Sequence, residues 1–514
     1  TGTQIIKIRA WYENPRDAAQ LANATAAALA HEISRAEVGG PFQRGDLDAV
    51  VAVEATQPPA AALPRGAPYP VLGTLGGATV GVLMALVLTY IGGRGHVRPL
   101  SDDPTSPPVT RRMTAAHVVW ALLIAATIPW RTDTFYEGGA DPVVLTKAAI
   151  SVAALGISLW VFRRTPHRHP LPAAPVLLLV AYLAVTVVGG LANQDAVASA
   201  VVAVRVMILA TSICLLAATY GPTYLLRAMV HVLGVLIVLS ALSGLTNFSG
   251  RLGGVVPPLN PNLLAIVTSV VFIWLLAKIL AGRDGVWVPL ALGGCLLIVF
   301  LTGSRTSLVA LVATTILMMF RMTVMRARTL VLLAASLPVL AYLILGTDML
   351  ASVFSRGGEA RVATLSNRTI AWDAALNMDR DVWQTWFGQG LAQKTISVQG
   401  QYWETQMLDS SWVSALVQGG YLGAVLVITL AVATLLAAAF CSRSKGSAWL
   451  GLAAFTILGG FLESGLFDGS VQFMVFLVTA LGAFGGYARQ IGLDRRAVVA
   501  IAAPKAVRDE VAVS

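Results

Sequence analysis

Apolar runs of membrane-spanning length recur along almost the whole chain, and they constrain its fold more than any other feature. Thirteen runs of about 17 to 25 residues are long enough to cross a bilayer as helices. With 56% apolar and only 12% charged residues, the chain differs from soluble globular proteins. The sequence therefore predicts an α-helical polytopic membrane protein with one span followed by twelve. The runs begin near Tyr69, Met113, Val143, Leu171, Val197, Leu225, Leu259, Val286, Thr306, Thr329, Val413, Ala448 and Val471.

Basic residues are grouped in short tracts between these runs, which accounts for the net charge of +10 without nucleic-acid binding. When the thirteen spans are alternated across the membrane, all of the tracts fall on one side, which the positive-inside rule makes cytoplasmic. We therefore expect a multi-pass protein of the plasma (inner) membrane with no nucleic-acid partner. The residues before Tyr69 and the loop 347–412 are expected to be extracytoplasmic.

The predicted spans divide the chain into domains. Residues 1–68 contain two strand-like runs, a helix that begins at Asn14-Pro15 and a Pro-rich stalk, which predicts a small extracytoplasmic α+β domain. Leu21, Thr25, Ala28 and Leu29 are expected on the buried face of that helix. A span at 69–92 and a cytoplasmic linker at 93–112 lead to a twelve-helix domain at 113–490, and a cytoplasmic tail follows at 491–514. Because the chain begins with Thr1, further residues are expected upstream.

The three cysteines predict neither a disulfide framework nor a metal site. Cys214, Cys295 and Cys441 lie in or beside apolar runs, with no pair in a candidate external segment and no metal-ligand spacing. The sequence predicts no cofactor and no bound metal.

Five short motifs occur in order along residues 113–490, each on the predicted outer side. They are Arg251-Leu252-Gly253-Gly254 with Asn260-Pro261-Asn262, Gly303-Ser304-Arg305-Thr306, Arg368 with Trp372, Phe387-Gly388-Gln389-Gly390, and Asp409-Ser410-Ser411-Trp412 with Gly419 to Gly423. In this order they resemble the O-antigen ligase and Wzy-type polysaccharide polymerase superfamily. Residues 1–92 resemble part of a Wzz-type chain-length determinant, also called a polysaccharide co-polymerase.

The resemblance implies a GT-C-like transferase bundle that acts on a polyprenyl-diphosphate-linked oligosaccharide outside the cytoplasm and without metal. Its glycan would pass to a sugar hydroxyl of an acceptor glycan, as in exopolysaccharide or capsule synthesis. Further partners would be membrane lipids and either other polysaccharide-export proteins or a second copy of the chain. Fusion to a chain-length module would raise the local concentration of regulator at the polymerase.

The implied reaction assigns roles to four residues. The leaving diphosphate is strongly negative, and Arg251, Arg305 and Arg368 are the candidate cations that bind it. Arg305 lies at the outer end of a span, at headgroup depth, and is a candidate catalytic residue as well. Asp409, at the junction of loop and membrane, is the candidate base for the acceptor hydroxyl. The alternatives are headgroup anchoring or loop packing for the arginines and N-capping of the next helix for Asp409.

Several other residues leave two interpretations open. Trp372, Trp403 and Trp412 are candidates for stacking on sugar rings, although tryptophans also collect at bilayer interfaces. Glu463 and Asp468 are expected mainly to keep the last external loop soluble, with acceptor contact as the alternative.

The sequence leaves three classes of function open: glycan transfer by a polymerase or ligase, transport of lipid-linked sugars, and a scaffold without catalysis. Relatives of the ligase type commonly carry a His where this chain has Asp409, and none of the six histidines lies in the loop 347–412, which favours a polymerase over a ligase. A transporter of lipid-linked sugars is disfavoured by the absence of an internal repeat and by the long external loop. A co-polymerase scaffold without catalysis is the third alternative.

Overall fold

The computed structural model describes part of the chain in two units, Thr1–Gly73 and Thr74–Ser514. In the first unit only residues 24, 25 and 28 are described, and all three are helical and exposed. The helix agrees with the prediction, but the expectation that Thr25 and Ala28 line a buried face is wrong. Leu21 and Leu29, expected on the same face, lie outside the described residues. The predicted strands and stalk lie outside the described residues. In the second unit the structure describes residues 110–130, 142–166, 168–193, 195–246, 248, 250–282, 287–321, 368–398, 405–441 and 443–502.

The described part of the second unit is almost entirely helical. Its helices before the long loop are α1 (Thr110–Thr127), α2 (Pro142–Arg164), α3 (Ala173–Ala192), α4 (Ala196–Tyr220), α5 (Pro222–Leu245), α6 (Pro261–Leu280), α7 (Trp287–Thr302) and α8 (Arg305–Phe320). The loop contributes α9 (Arg368–Leu376), α10 (Val382–Phe387), β1 (Thr395–Ser397) and β2 (Thr405–Met407). The last helices are α11 (Ser411–Phe440), α12 (Arg443–Gly459) and α13 (Val471–Ala502).

Seven described helices are long and apolar enough to cross a membrane, which makes this a polytopic membrane protein. They are α2 to α6, α11 and the first part of α13, and α1, α7, α8 and α12 contain shorter apolar helices. Helices therefore occur at eleven of the thirteen predicted positions. The predicted spans near Tyr69 and Thr329 lie outside the described residues, so the count of thirteen stays a prediction. Since α13 continues to Ala502, the start of the predicted tail at 491 is helical.

Local sequence explains how several helices begin and how their polar side chains are accommodated. The Asn260 side chain caps α6 by accepting the N–H of Leu263 at 2.7 Å, and Pro261 takes the first helical position. Inside the helices, hydroxyl groups donate to carbonyl oxygens of the preceding turn, as Ser212 does to Ile208 at 2.8 Å. In lipid such internal bonding is favourable, because no water is present to satisfy a free hydroxyl.

The core of the bundle is formed by α4, α6 and α13, whose apolar stretches are the most buried, whereas α2 is peripheral. Helix α6 packs against α5, α7, α8, α12 and α13. A helix that is apolar on all sides, as α6 is, fits this central position because protein surrounds it. The central helices thus fix the places where the connecting loops meet.

Helix α11 is broken near its start, where Gly420 adopts φ 59° and ψ −160°. A Cβ at Gly420 would lie 2.5 Å from the backbone carbonyl carbon of Trp386, so only glycine fits. Next to the break, the N–H groups of Gln389 and Gly390 donate to the carbonyl oxygens of Val417 and Gln418 at 2.8 and 3.0 Å. The long loop therefore supplies backbone hydrogen bonds where the helix is interrupted.

The described part of the long loop contains two short helices and two short strands. Strands β1 and β2 pair antiparallel, with Ile396 opposite Gln406. Ile396, Ala371 and Ala375 form a small apolar cluster with Leu408 and Val417, which joins the loop to the start of α11. This packing holds the residues before α11 in a defined position.

Candidate active site

One end of the bundle brings together the segments that carry the predicted site residues. Here the loop before α6, the start of α8, the loop before α11 and the loop between α12 and α13 meet. Leu252 N–H donates to Leu301 O at 2.8 Å, and Ser411 N–H donates to Gly460 O at 2.8 Å. We call this the site end, and the other end of the bundle the basic end, since Arg163, Lys278 and Arg321 lie there.

Arg368, the first residue of α9, lies between two carboxylates. Its Nη2 donates to Glu463 Oε1 at 3.1 Å, and its Nε lies 3.6 Å from Asp409 Oδ2. The Arg368 side chain is only 15% exposed, and Glu463 is 18% exposed, whereas Asp409 is 40% exposed. Arg368 thus holds one buried carboxylate and one that remains accessible.

Glu463 extends this network towards α6. Its Oε1 also accepts a hydrogen bond from Asn262 Nδ2 at 2.9 Å, and Asn262 Oδ1 accepts one from Arg251 Nη2 at 2.8 Å. Burial raises the pKa of the Glu463 carboxyl; the Asp409 carboxylate acts in the same direction, while Arg368 and Asn262 oppose the rise. The result is a continuous chain of contacts from Arg251 through Asn262, Glu463 and Arg368 to Asp409.

Ser411 explains why Glu463 reaches this position. Its hydroxyl donates to the Glu463 carbonyl oxygen at 2.8 Å and accepts the N–H of Leu466 at 3.1 Å. The first residue of α11 therefore fixes the loop between α12 and α13 next to Asp409.

Arg251 is an exposed cation held in a defined place. Its Nε donates to Thr302 O at 2.9 Å, and its side chain lies beside Gly303, which has φ 61°. Arg305 begins α8 two residues later, so it lies on the segment next to Arg251. The structure therefore brings Arg251, Arg368 and Asp409 into one network, with Arg305 at the adjoining helix start.

The capping interpretation of Asp409 is wrong. The N-cap of α11 is Ser410, whose side chain accepts the N–H of Val413. The Asp409 side chain is instead paired with Arg368. Its carboxylate is thus available to a second molecule at the site end.

The tryptophans occupy different environments. Trp412 packs against Phe461 and Phe467, with ring centroids 5.5 and 5.7 Å apart, so it belongs to an aromatic cluster. The indole N–H of Trp372 is buried and has no hydrogen-bond partner among the described residues. Trp403 lies outside the described residues. Trp383 and Trp386 are the exposed tryptophans of α10, with 42% and 50% exposure.

A second ion pair joins the same two loops. Lys394 Nζ lies 2.6 Å from Asp468 Oδ2, and Gly469 N–H donates to Asp468 Oδ1 at 2.7 Å. Partial burial would raise the pKa of Asp468, but Lys394, this N–H and Arg205 hold it below its ordinary value. Two ion pairs therefore clamp the loop between α12 and α13 against the long loop.

A match to a known family covers part of this arrangement. Residues 289–428 match the family model Wzy_C, described as O-Antigen ligase. The match supports the ligase and Wzy superfamily for this chain. It includes Arg305, Arg368 and Asp409, whereas Arg251, Asn262 and Glu463 lie outside it. No curated protein matches the chain.

Glu463 is the site residue that the sequence interpretation missed, because a carboxylate between two spans was expected to be solvated. The signal that could have found it is electrostatic. A partly buried arginine at a membrane surface needs a carboxylate close to it, and the loop with Glu463 lies at the same predicted membrane side as the three candidate arginines.

Proposed function

We propose that the protein is a membrane glycan polymerase that moves a glycan from a polyprenyl-diphosphate donor to a sugar hydroxyl of a growing surface polysaccharide. The observation that carries the proposal is the network from Arg251 to Asp409, because it joins arginines and an accessible carboxylate within and next to the segment that matches the ligase family. The Wzz-like chain-length role of residues 1–92 is part of the same proposal and rests on resemblance alone.

In this proposal Arg251 and Arg305 bind the donor diphosphate. Arg251 is exposed and is held by Thr302 and Asn262, so little side-chain freedom is lost on binding an anion. The starts of α6 and α8, near these two arginines, add the partial positive charge of helix N-termini. Developing negative charge on the leaving diphosphate is thereby stabilised.

Asp409 is the proposed base because it is the more exposed of the two carboxylates on Arg368. The acceptor hydroxyl oxygen attacks the anomeric carbon, the bond from that carbon to the diphosphate oxygen breaks, and the hydroxyl proton passes to Asp409. Direct displacement inverts the anomeric centre. Arg368 and Glu463 act as positioning residues that orient Asp409.

A ligase that transfers a finished glycan to a lipid or cell-wall acceptor is the second candidate, since the matched family is described as O-Antigen ligase. Both functions use the same donor and differ in the acceptor. The presence of Asp409 where the resemblance leads one to expect a His favours the polymerase.

The test uses the purified full chain in nanodiscs with a polyprenyl-diphosphate oligosaccharide, with and without EDTA. A product ladder without added acceptor, retained in EDTA and lost in Arg305→Ala and Asp409→Asn, is expected. Asp373→Asn is the matched control, because Asp373 is an exposed carboxylate of the same loop that accepts a hydrogen bond from Asn377. Product only with an added lipid acceptor would identify a ligase, and undiminished ladders in both site variants would refute the assigned roles.

A further inference from the structure

A second cluster of polar and aromatic residues lies inside the bundle towards the basic end. The Nε2 of His117 on α1 lies 3.3 Å from the Nδ1 of His231 on α5. The His231 ring meets Trp274 of α6 edge-on, with centroids 6.2 Å apart, and Lys278 Nζ lies 3.8 Å from the Trp274 ring centroid. The cluster therefore links α1, α5 and α6.

Helix geometry brings Arg227 into the same cluster. Arg227 and His231 are four residues apart on α5, and Trp274 and Lys278 are four apart on α6, so each pair shares one helix face. Helix α5 packs against both α1 and α6. Arg227 lies close enough to act electrostatically on His231 and Lys278.

Among the described residues, no carboxylate balances the positive charge of this cluster. The ion pairs of Arg368 and Lys394 are at the site end, and neither Arg227 nor Lys278 forms an ion pair among the described residues. Arg227 is exposed, and Lys278 rests on an aromatic ring. Cations gathered in this way at a membrane boundary are stabilised by an external anion.

The surface next to Arg227 identifies the kind of anion. Along α5 the positions 227, 231, 235, 238 and 242 lie on one face, since they follow the helical period. Val235, Val238 and Leu242 on this face are 62%, 54% and 61% exposed. Val235 and Val238 lie about 12 to 17 Å along the axis from Arg227, roughly the depth of one hydrocarbon leaflet. Along this face of α5, the exposed cation Arg227 is therefore followed by a stripe of exposed apolar side chains.

We propose that Arg227 and Lys278 bind the phosphate of an anionic phospholipid whose acyl chain lies along Val235, Val238 and Leu242. The bound lipid would occupy a place remote from the candidate active site, at the opposite end of α5 and α6. The proposal does not depend on the glycan-transfer function. His231 lies one turn from Arg227 on the same face of α5, so the His117 and His231 pair adjoins the proposed phosphate site.

The test measures the apparent Kd of phosphatidylglycerol for the full chain by native mass spectrometry, with phosphatidylcholine as the zwitterionic comparison. Arg227→Gln and Lys278→Gln are each expected to weaken phosphatidylglycerol binding about fivefold, and together about thirtyfold. The matched control is Arg164→Gln, which removes a cation lying 4.4 Å from the Trp160 ring centroid at the same end but outside the cluster.

Folding of each variant is checked by circular dichroism and size-exclusion chromatography, and the exposed Arg227→Gln variant alone suffices if the double variant does not fold. Equal binding by the wild type and the Arg227→Gln variant overturns the proposal. An equal loss in Arg164→Gln also overturns it, because the effect would then be general surface charge. Competing inorganic pyrophosphate is expected to leave lipid binding unchanged; displacement that depends on Arg227 would show a site for free phosphate instead.

Discussion

The Nη2 of Arg368 lies 3.1 Å from the Oε1 of Glu463, so that the long loop and the loop between α12 and α13 are joined by a partly buried ion pair. Because Arg368 also pairs with Asp409, the Glu463 carboxylate determines the position of the residue that we propose as the base. Five predictions follow from this network and from the packing around it.

Glu463→Gln is expected to reduce glycan transfer and to change its pH dependence. The pKa of Glu463 is raised, so the folded protein binds this proton more tightly than an unfolded chain does. As the pH falls, the ion pair with Arg368 is therefore lost at a higher pH than for a glutamate of ordinary pKa. The wild type should therefore lose activity on acidification earlier than a solvated carboxyl would predict. In a profile of initial rate against pH, the variant should lack this loss of activity on acidification. Identical profiles would contradict the positioning role.

The raised pKa of Glu463 also determines how the free energy of unfolding changes with pH. Its contribution to the free energy of unfolding is fully present when the carboxyl is protonated and declines as the pH rises through the folded pKa. Thermal unfolding of wild type and Glu463→Gln, compared at several pH values, should show the wild type losing stability relative to the variant as the pH rises.

Arg251→Lys is expected to lower the transfer rate about tenfold, which corresponds to about 1.4 kcal/mol. The planar guanidinium donates to both Thr302 O and Asn262 Oδ1, and an ammonium group cannot reproduce this pair from the same position. The measurement is kcat/KM for the lipid-linked donor. Arg380→Lys is the control, since Arg380 lies between α9 and α10 of the long loop and outside the network. Full activity of Arg251→Lys would show that charge alone is needed.

The Lys394 and Asp468 pair is expected to contribute only modestly to stability. Both side chains are more than a third exposed, so solvent screening limits the coupling to at most about 1 kcal/mol. A double-mutant cycle with Lys394→Gln and Asp468→Asn, followed by thermal unfolding in detergent, should give a coupling in that range that declines with added salt. Strictly additive effects would mean that the two loops are held by Ser411 and the Arg368 pair alone.

Gly420→Ala is expected to destabilise the protein by at least about 2 kcal/mol. The residue has a positive φ, and a Cβ would meet the backbone of Trp386 at 2.5 Å. Gly234→Ala is the matched control, because no heavy atom lies within 4 Å of a Cβ at that helical position. Loss of monodisperse protein on heating, measured by size-exclusion chromatography, should separate the two variants. Similar behaviour would show that the break in α11 tolerates a side chain.

The membrane helices could be predicted from the sequence because an apolar run of sufficient length is a local property. The eleven described helices found at predicted positions illustrate this, from α1 near Met113 to α13 at Val471. Three-residue strands such as β1 and β2 could not be predicted, since they are too short for an alternating pattern to be recognised.

The site could be predicted in part for a different reason. Arg251, Arg368 and Asp409 were candidates because their motifs occur in a recognisable order. Glu463 could not be selected in the same way, because its burial depends on hydrogen bonds from Ser411, which is 52 residues away in the chain. Likewise, the capping alternative for Asp409 was reasonable from sequence and fails because the neighbouring Ser410 takes that role.

The position of Glu463 in the loop between α12 and α13 also has a consequence for biosynthesis. Polypeptides fold from the N-terminus as they are made, and the segments with Arg251, Arg368 and Asp409 all emerge before this loop. Until α12 and α13 enter the membrane, Arg368 has Asp409 but not Glu463, and Asn262 has no carboxylate partner. Helices α12 and α13 thus complete the charge network, so under the proposed function the donor would be consumed only after these two helices are in place.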